Sequence, residues 1–268
     1  MRRFKTDFTN VNDFTKFFIT PSTGYGVTHG IATDSNTDGV PAHKASINAA
    51  NDVNNESSGG YVPHRGYPTV QFYKTVDGAM KTPCMIDIEL KVNISLTVRS
   101  PLIDDWFSPL TFTSETGDVW SRVVTVALSP DGRLYLQHVP LQGQSNLIYQ
   151  ATSTNGGPAF PINKWVKISV LFDSDPISGF AKVYQDGALV SWANVRGMDG
   201  NLTQMHAGMY ASAAVASGVC YNRKLDVYET AHESKGLPAR THYNSIYMVQ
   251  EKPNQKARRA QIMPWHRR

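Results

Sequence analysis

The stretch Ile86-Asp87-Ile88-Glu89-Leu90-Lys91-Val92-Asn93-Ile94-Ser95-Leu96-Thr97-Val98 alternates without a fault. Ile86, Ile88, Leu90, Val92, Ile94, Leu96 and Val98 share one side, while Asp87, Glu89, Lys91, Asn93, Ser95 and Thr97 share the other. A period of two belongs to a strand, whose successive side chains point to opposite faces. One dry and one wet face marks an antiparallel sheet packed on a second layer.

The same signature extends to both sides of this stretch. Arg122–Leu128 and Arg133–Val139 flank Ser129-Pro130-Asp131-Gly132, a turn in which Pro and Gly suit the backbone. Val166, Ile168, Val170 and Phe172 alternate with Lys167, Ser169 and Leu171. Phe180–Gln185 and Ala188–Trp192 are joined by Asp186-Gly187, a strong hairpin signal. Met205–Ala211 and Val219–Tyr228 supply two more strands. Short strands are expected near Phe4–Phe8 and Phe17–Thr20, with long loops through Asn48–Gly60. Helical spacing is confined to Ala42–Ala50 and the tail. About a dozen strands at this spacing read as an all-β sandwich, and the lack of an internal repeat argues against a propeller. The expected organisation is a loop-rich arm with the first strands over 1–66, the sandwich over 67–250, and a basic tail over 251–268.

Composition narrows the function classes. The 268 residues are 41% hydrophobic and 18% charged, enough apolar chain for one large core. Met1-Arg2-Arg3-Phe4-Lys5-Thr6-Asp7 leads into no apolar run of signal-peptide length, and no run of about 18 apolar residues could span a membrane. The expected location is therefore a virion surface if the source is viral, and otherwise the cytoplasm or a non-classical export route. Cys84 and Cys220 stand alone, without a Cys-x-x-Cys pair or a Cys/His cluster, so neither a disulfide framework nor a zinc site is written here. The Asn-x-Ser/Thr matches at Asn55, Asn93 and Asn201 matter only in a secretory pathway. Positive charge is concentrated at the end: Lys252, Lys256, Arg258, Arg259, Arg267 and Arg268 face only Glu251, while positions 1–250 hold 20 basic and 21 acidic residues. Such a tail reads most simply as a solvated, mobile extension, and the competing reading is an arm that docks on an acidic neighbour with Trp265 and Ile262 as apolar anchors. It is the one segment suited to nucleic acid.

Four segments carry a family likeness. They are Asn163-Lys164-Trp165-Val166-Lys167-Ile168-Ser169-Val170, Ala181-Lys182-Val183-Tyr184-Gln185-Asp186-Gly187-Ala188-Leu189-Val190, His206-Ala207-Gly208-Met209-Tyr210, and Lys224-Leu225-Asp226-Val227-Tyr228. Their order, W-x-x-I-x-V, V-x-x-D-G, G-x-Y, D-V, resembles the concanavalin A-like lectin/glucanase superfamily, including its laminin-G-like and polysaccharide-lyase members, over residues from about 68 to 229. The resemblance implies a two-sheet antiparallel jelly-roll β-sandwich with one concave face. It does not fix an activity, because the superfamily holds hydrolases, lyases, lectins and structural modules.

The lyase members imply a specific constellation. They neutralise a uronate carboxylate with Arg, Gln or Asn, remove the neighbouring proton with His or Tyr, and protonate the leaving oxygen with Tyr. Those families place Gln-x-His on one strand and Tyr-x-Lys-x-Gly-x-Tyr on another. Here His206 and Tyr210 share a face opposite Ala207 and Met209, and Gln137 and Arg65 are the candidate carboxylate clamp. Gln137 and His138 are adjacent, so a strand sends them to opposite faces, with Gln137 beside Tyr135. The expected Arg-x-Glu is missing around Arg65. A glucanase reading would need Asp87 and Glu89 joined by a third acid, but Val92 stands there.

Two further features complete the inventory. Asp34-Ser35-Asn36-Thr37-Asp38-Gly39 opens like a calcium loop, with Asp34, Asn36 and Asp38 as candidate ligands, but Ala45 fills the position of the bidentate Glu. Trp106, Trp120, Trp192, Tyr135, Tyr149 and Tyr210 are rings able to stack on a sugar, and the expected glycan-binding set is Tyr135, Gln137, Trp192, His206 and Tyr210. The broken catalytic pattern and the terminal arms favour a non-catalytic structural or glycan-binding module, such as a phage virion surface component in capsid decoration or a tail. Its partners would be other subunits of a larger assembly together with carbohydrate, and it would need no cofactor. The alternatives are a polysaccharide lyase acting on uronate-containing glycans and a calcium-assisted lectin.

Overall fold

A computed structural model describes residues 1–14, 27–48, 64–95, 107–117, 119–128, 132–138, 158–195, 198–211 and 217–230. Its strands are β1 (Arg3–Thr6), β2 (Val27–Ala32), β3 (Ala42–Asn48), β4 (His64–Gly66), β5 (Thr69–Gln71), β6 (Met80–Lys81), β7 (Cys84–Ser95), β8 (Phe107–Thr113), β9 (Val124–Leu128), β10 (Leu134–His138), β11 (Trp165–Asp173), β12 (Phe180–Gln185), β13 (Ala188–Asn194), β14 (Asn201–Leu202), β15 (Gln204–Ala211) and β16 (Ser217–Glu229). They form an eight-stranded sheet in the order β13-β12-β11-β7-β16-β3-β2, with β1 also on β16, and a six-stranded sheet in the order β10-β9-β8-β15-β4, with β5 also on β15. The two-stranded β14-β6 pair is separate. Every pairing is antiparallel.

Residues 86–95 of the quoted alternating stretch are the heart of the larger sheet, and residues 96–98 lie outside the described residues. β7 runs between β11 and β16, and Ile86, Ile88, Leu90 and Val92 are fully buried on its core side. Opposite them come Leu110, Phe112, Val124, Val126, Leu136, Met205, Ala207 and Met209 of the smaller sheet, so the core is the layer between the sheets. Burying each such side chain contributes roughly 1.5–3 kcal/mol. The acids on the other side of β7 are neutralised: Lys167 pairs with Asp87 at 2.9 Å, and Glu89 accepts from Arg223 at 2.6 Å and from Lys224 at 2.8 Å. They are a charged surface band, with no third carboxylate of the glucanase pattern.

The predicted Asp186-Gly187 turn joins β12 to β13, with both residues at positive φ, 47° and 85°. The paired apolar runs at 124–128 and 134–138 form the second predicted hairpin. Ala42–Ala50 is a correction, because residues 42–48 are strand β3, between β16 and β2. Ala45 and Ile47 face the core while Lys44 and Ser46 face outward, and this pairing on both sides overrides the weak helical propensity of a short alanine-rich run. Residues 3–6, 27–32 and 42–48 are thus integral strands of the larger sheet. Phe17–Thr20, Trp106, Tyr149, and the tail residues Lys252, Lys256, Arg258, Arg259, Trp265, Arg267 and Arg268 lie outside the described residues. Cys84 and Cys220 are both buried free thiols. Since Cys220 pairs with Val92, eight residues along β7 from Cys84, they are separated by about 26 Å, far beyond disulfide reach.

Candidate functional site

The face of the six-stranded sheet turned away from the core gathers most of the predicted residues. β15 alternates: Met205, Ala207 and Met209 enter the core, which leaves Gln204, His206 and Tyr210 on the other side. Registers then extend the pattern sideways. His206 is opposite Thr69 of β5 and Thr111 of β8, Thr111 is opposite Thr125 of β9, and Thr125 is opposite Gln137 of β10. Tyr210 is opposite Ser108 on one side and Arg65 on the other.

An aromatic cluster is built around His206. The Tyr67 ring stacks on it, with centroids 3.8 Å apart and planes 13° apart. Trp120 approaches at 5.1 Å and Tyr210 at 6.0 Å, so His206 is only 4% exposed although it is on an outer face. Gly208 makes the stack possible. It sits at φ 147°, where β15 carries one more residue than β8, and a Cβ there would lie 2.7 Å from the Gly66 carbonyl and 2.8 Å from Tyr67 Cβ. A glycine in a strand interior marks such a bulge or close approach.

Trp120 comes from the loop after β8, and that loop is held by one carboxylate. Glu115 accepts from the Ser121 N–H and hydroxyl at 2.7 Å each, from the Arg122 N–H at 2.9 Å and from Arg122 Nε at 3.2 Å. Burial pushes its pKa up, but these donors outweigh it and hold the group below the ordinary carboxylate value. The amide of Gln204 donates to the Val119 carbonyl at 3.1 Å and accepts from Gln71 at 3.2 Å, tying the loop to the strand that carries His206.

Tyr135 and Gln137 are on the same sheet face as His206, and His138 is turned with Leu134 and Leu136 toward the core. Gln137 is three strands from His206, about 14 Å away, so it cannot clamp the carboxylate of a sugar whose proton His206 removes. Trp192 is on β13 of the other sheet, opposite Lys182, and does not join the set. Asp34, Asn36 and Asp38 form a capped turn: Asp34 Oδ1 accepts from the Asn36 N–H at 2.7 Å. Arg223 donates to the Thr37 carbonyl and to Asp38, and Lys91 donates to the Asn36 carbonyl, so the protein's own cations take oxygens that a calcium ion would seek. Among the described residues no group of three His, Cys, Asp or Glu is placed to hold a metal. Sequence reasoning missed Tyr67, whose only signal was its position two residues past Arg65, before Pro68.

Two stacked antiparallel sheets with a polar, aromatic-rimmed outer face define a concanavalin A-like jelly roll. No family model and no curated protein matches the chain. Among solved structures, the endo-β-1,4-glucuronan lyase from the fungus Trichoderma reesei superposes with a TM-score of 0.56 at 14% identity, covering 85% of this chain and 95% of that one. The cellulose induced protein Cip1 superposes with a TM-score of 0.56 at 10% identity, covering 84% and 97%. At these identities the likeness is one of fold. The expectation of a virion surface component has no counterpart in these comparisons.

Proposed function

We propose that this protein is a polysaccharide lyase acting on uronate-containing glycans at the outer face of the six-stranded sheet. The observation that carries the reading is the meeting of His206 and Tyr210 in one aromatic cluster with Arg65 as the register partner of Tyr210. The fold shared with a glucuronan lyase supports it. In this reading Arg65 neutralises the substrate carboxylate, which acidifies the adjacent C5–H. His206 takes that proton, its electron pair forms the C4=C5 double bond, the C4–O4 bond breaks, and the Tyr210 hydroxyl protonates the leaving O4. The Tyr67 ring stacked on His206 limits its rotation, and the Trp120 ring packs against it.

The test is incubation with a panel of polyuronates, following the ultraviolet absorbance of the new conjugated double bond. Activity lost in both Tyr210→Phe and His206→Ala, with the fold retained by circular dichroism, supports the proposal, and Tyr210→Phe at wild-type rate overturns it. One observation favours a second reading, a non-catalytic glycan-binding module: Gln137, the amide expected in the carboxylate clamp, is three strands away. Under that reading glycans bind but no substrate yields the absorbance.

A further inference from the structure

The outer face of a sandwich sheet is ordinarily wet, and threonines there are ordinarily exposed. Here the line Thr69, His206, Thr111, Thr125, Gln137 crosses five strands in continuous register, yet Thr69 is 1% exposed and Thr111 and Thr125 are 5% and 4% exposed. Thr111 and Thr125 satisfy each other with a hydroxyl contact of 3.2 Å. The two ends of the line are not satisfied: Thr69 Oγ1 and Gln137 Oε1 are buried atoms without a hydrogen-bond partner, and so is Ser108 Oγ, beside Tyr210 in register. Buried polar atoms are nearly always paired, so a row of orphans on one sheet face points to a partner that arrives from outside. The alternate positions of the same strands are filled by Met205, Ala207, Leu110, Phe112, Val124, Val126 and Leu136, so the polar row is not a flaw of the core.

The chemistry of the orphans defines the partner. An amide oxygen accepts only, and a hydroxyl both gives and takes, so the row is suited to a ligand rich in hydroxyl groups. No member of the row is a cation, whereas a carboxylate buried on it would demand Arg, Lys or several N–H donors. Neighbouring strands are about 4.8 Å apart, close to the length of one sugar ring, so a glycan lying across the strands meets roughly one strand per sugar. We infer that the sugars bound over β5 on one side of His206 and over β8, β9 and β10 on the other are neutral, and that the substrate is a heteroglycan in which a uronate beside His206, Tyr210 and Arg65 is flanked by neutral hydroxyl-bearing sugars. This rests on the lyase reading for the uronate subsite alone.

The test measures binding, by calorimetry, with three probes of equal length: a glucan oligosaccharide carrying one internal glucuronate, an oligoglucuronate, and a neutral β-1,4-glucan oligosaccharide. The singly charged probe is expected to bind at least tenfold tighter than oligoglucuronate, with an affinity less sensitive to salt than that of oligoglucuronate. Gln137→Leu and the isosteric Thr69→Val, each checked for an unchanged melting profile, are expected to weaken it roughly three- to tenfold. Oligoglucuronate binding as tightly as the singly charged probe, or both variants within twofold of wild type, overturns the inference. Cleavage reports separately: if the neutral and singly charged probes bind through the row but no uronate is cleaved, the neutral subsites stand and the lyase reading falls. If uronate is cleaved with binding indifferent to both variants, the lyase reading stands and the neutral subsites fall.

Discussion

Replacing Glu115 by alanine asks whether one carboxylate keeps Trp120 on His206. The side chain is 5% exposed and accepts four hydrogen bonds from Ser121 and Arg122. Bonds to a charged acceptor contribute about 1.5–3 kcal/mol each, but four bonds sharing two oxygens and two donor residues do not add. The better measure is the removal of one partner of a buried ion pair, about 3–5 kcal/mol. For a body of this size that corresponds to a fall in Tm of roughly 6–20 °C if the loop and the sandwich melt together. Opening of the loop alone would cap the loss, yet would still take Trp120 from His206. Calorimetry reads the first effect, and ring-proton NMR shifts of His206, set by the Tyr67 and Trp120 rings, read the second. The pH dependence has a definite sign. The folded-state pKa of Glu115 is depressed, so its contribution is complete above the ordinary glutamate value and is lost as pH falls through the lower folded value. Glu115→Gln keeps the shape and should abolish that acid dependence. A Glu115→Ala protein that melts within about 2 °C of wild type and keeps its His206 shifts would refute the clamp.

Gly208→Ala places a Cβ 2.7 Å from a backbone oxygen at a φ that favours glycine, and is expected to cost more than about 2 kcal/mol and to unstack Tyr67, read by melting and by the His206 ring shifts. Arg223 lies 3.8 Å over the Trp165 ring while donating to Glu89 and to the Thr37 carbonyl, so Arg223→Ala should cost about 3 kcal/mol and release the 34–39 turn. Limited proteolysis near residue 36 is the readout. With Arg223 and Lys91 already on that turn, calcium is expected to leave the wild-type melting temperature unchanged, and a rise on adding calcium would show that the loop binds it.

Much of this was legible along the chain, and the limits have physical causes. Strand alternation is a local property, so the faces of β7, β11 and β15, and the pairing of His206 with Tyr210 on one side, follow directly from parity. The Asp186-Gly187 turn was readable because positive φ at both positions restricts the residue types. Strand order is not local. Gln137 has the right parity, but its distance from His206 depends on β8 and β9 standing between, which no spacing along the chain encodes. Trp192 carries the right ring on the wrong sheet for the same reason. Gly208, a glycine inside an alternating run, was the available signal for the bulge, and a close neighbour at that point was its implied consequence. Which residue would fill it, Tyr67, depended on the unpredicted pairing of β4 and β5 with β15.

What stands behind the bulge bears on the charge the site can use. The Cys220 thiol lies 3.9 Å from the Gly208 carbonyl and 3.6 Å from the Asn222 side-chain oxygen, and the Asn222 amide donates to His43 Nδ1 at 3.2 Å, which leaves the His43 proton on Nε2. Burial pushes the His43 pKa down to about 3, with His29 adding to the shift, and pushes the Cys220 thiol up. Both groups are therefore neutral near neutral pH, where a uronate is ionised. Neither of these two groups, then, offers a cation to attract a carboxylate or an anion to repel one from behind Gly208. Under the lyase reading the carboxylate falls to Arg65, the register partner of Tyr210, and Arg65→Gln is expected to slow turnover of a uronate, read by the absorbance of the unsaturated product, more than Cys220→Ser behind the bulge.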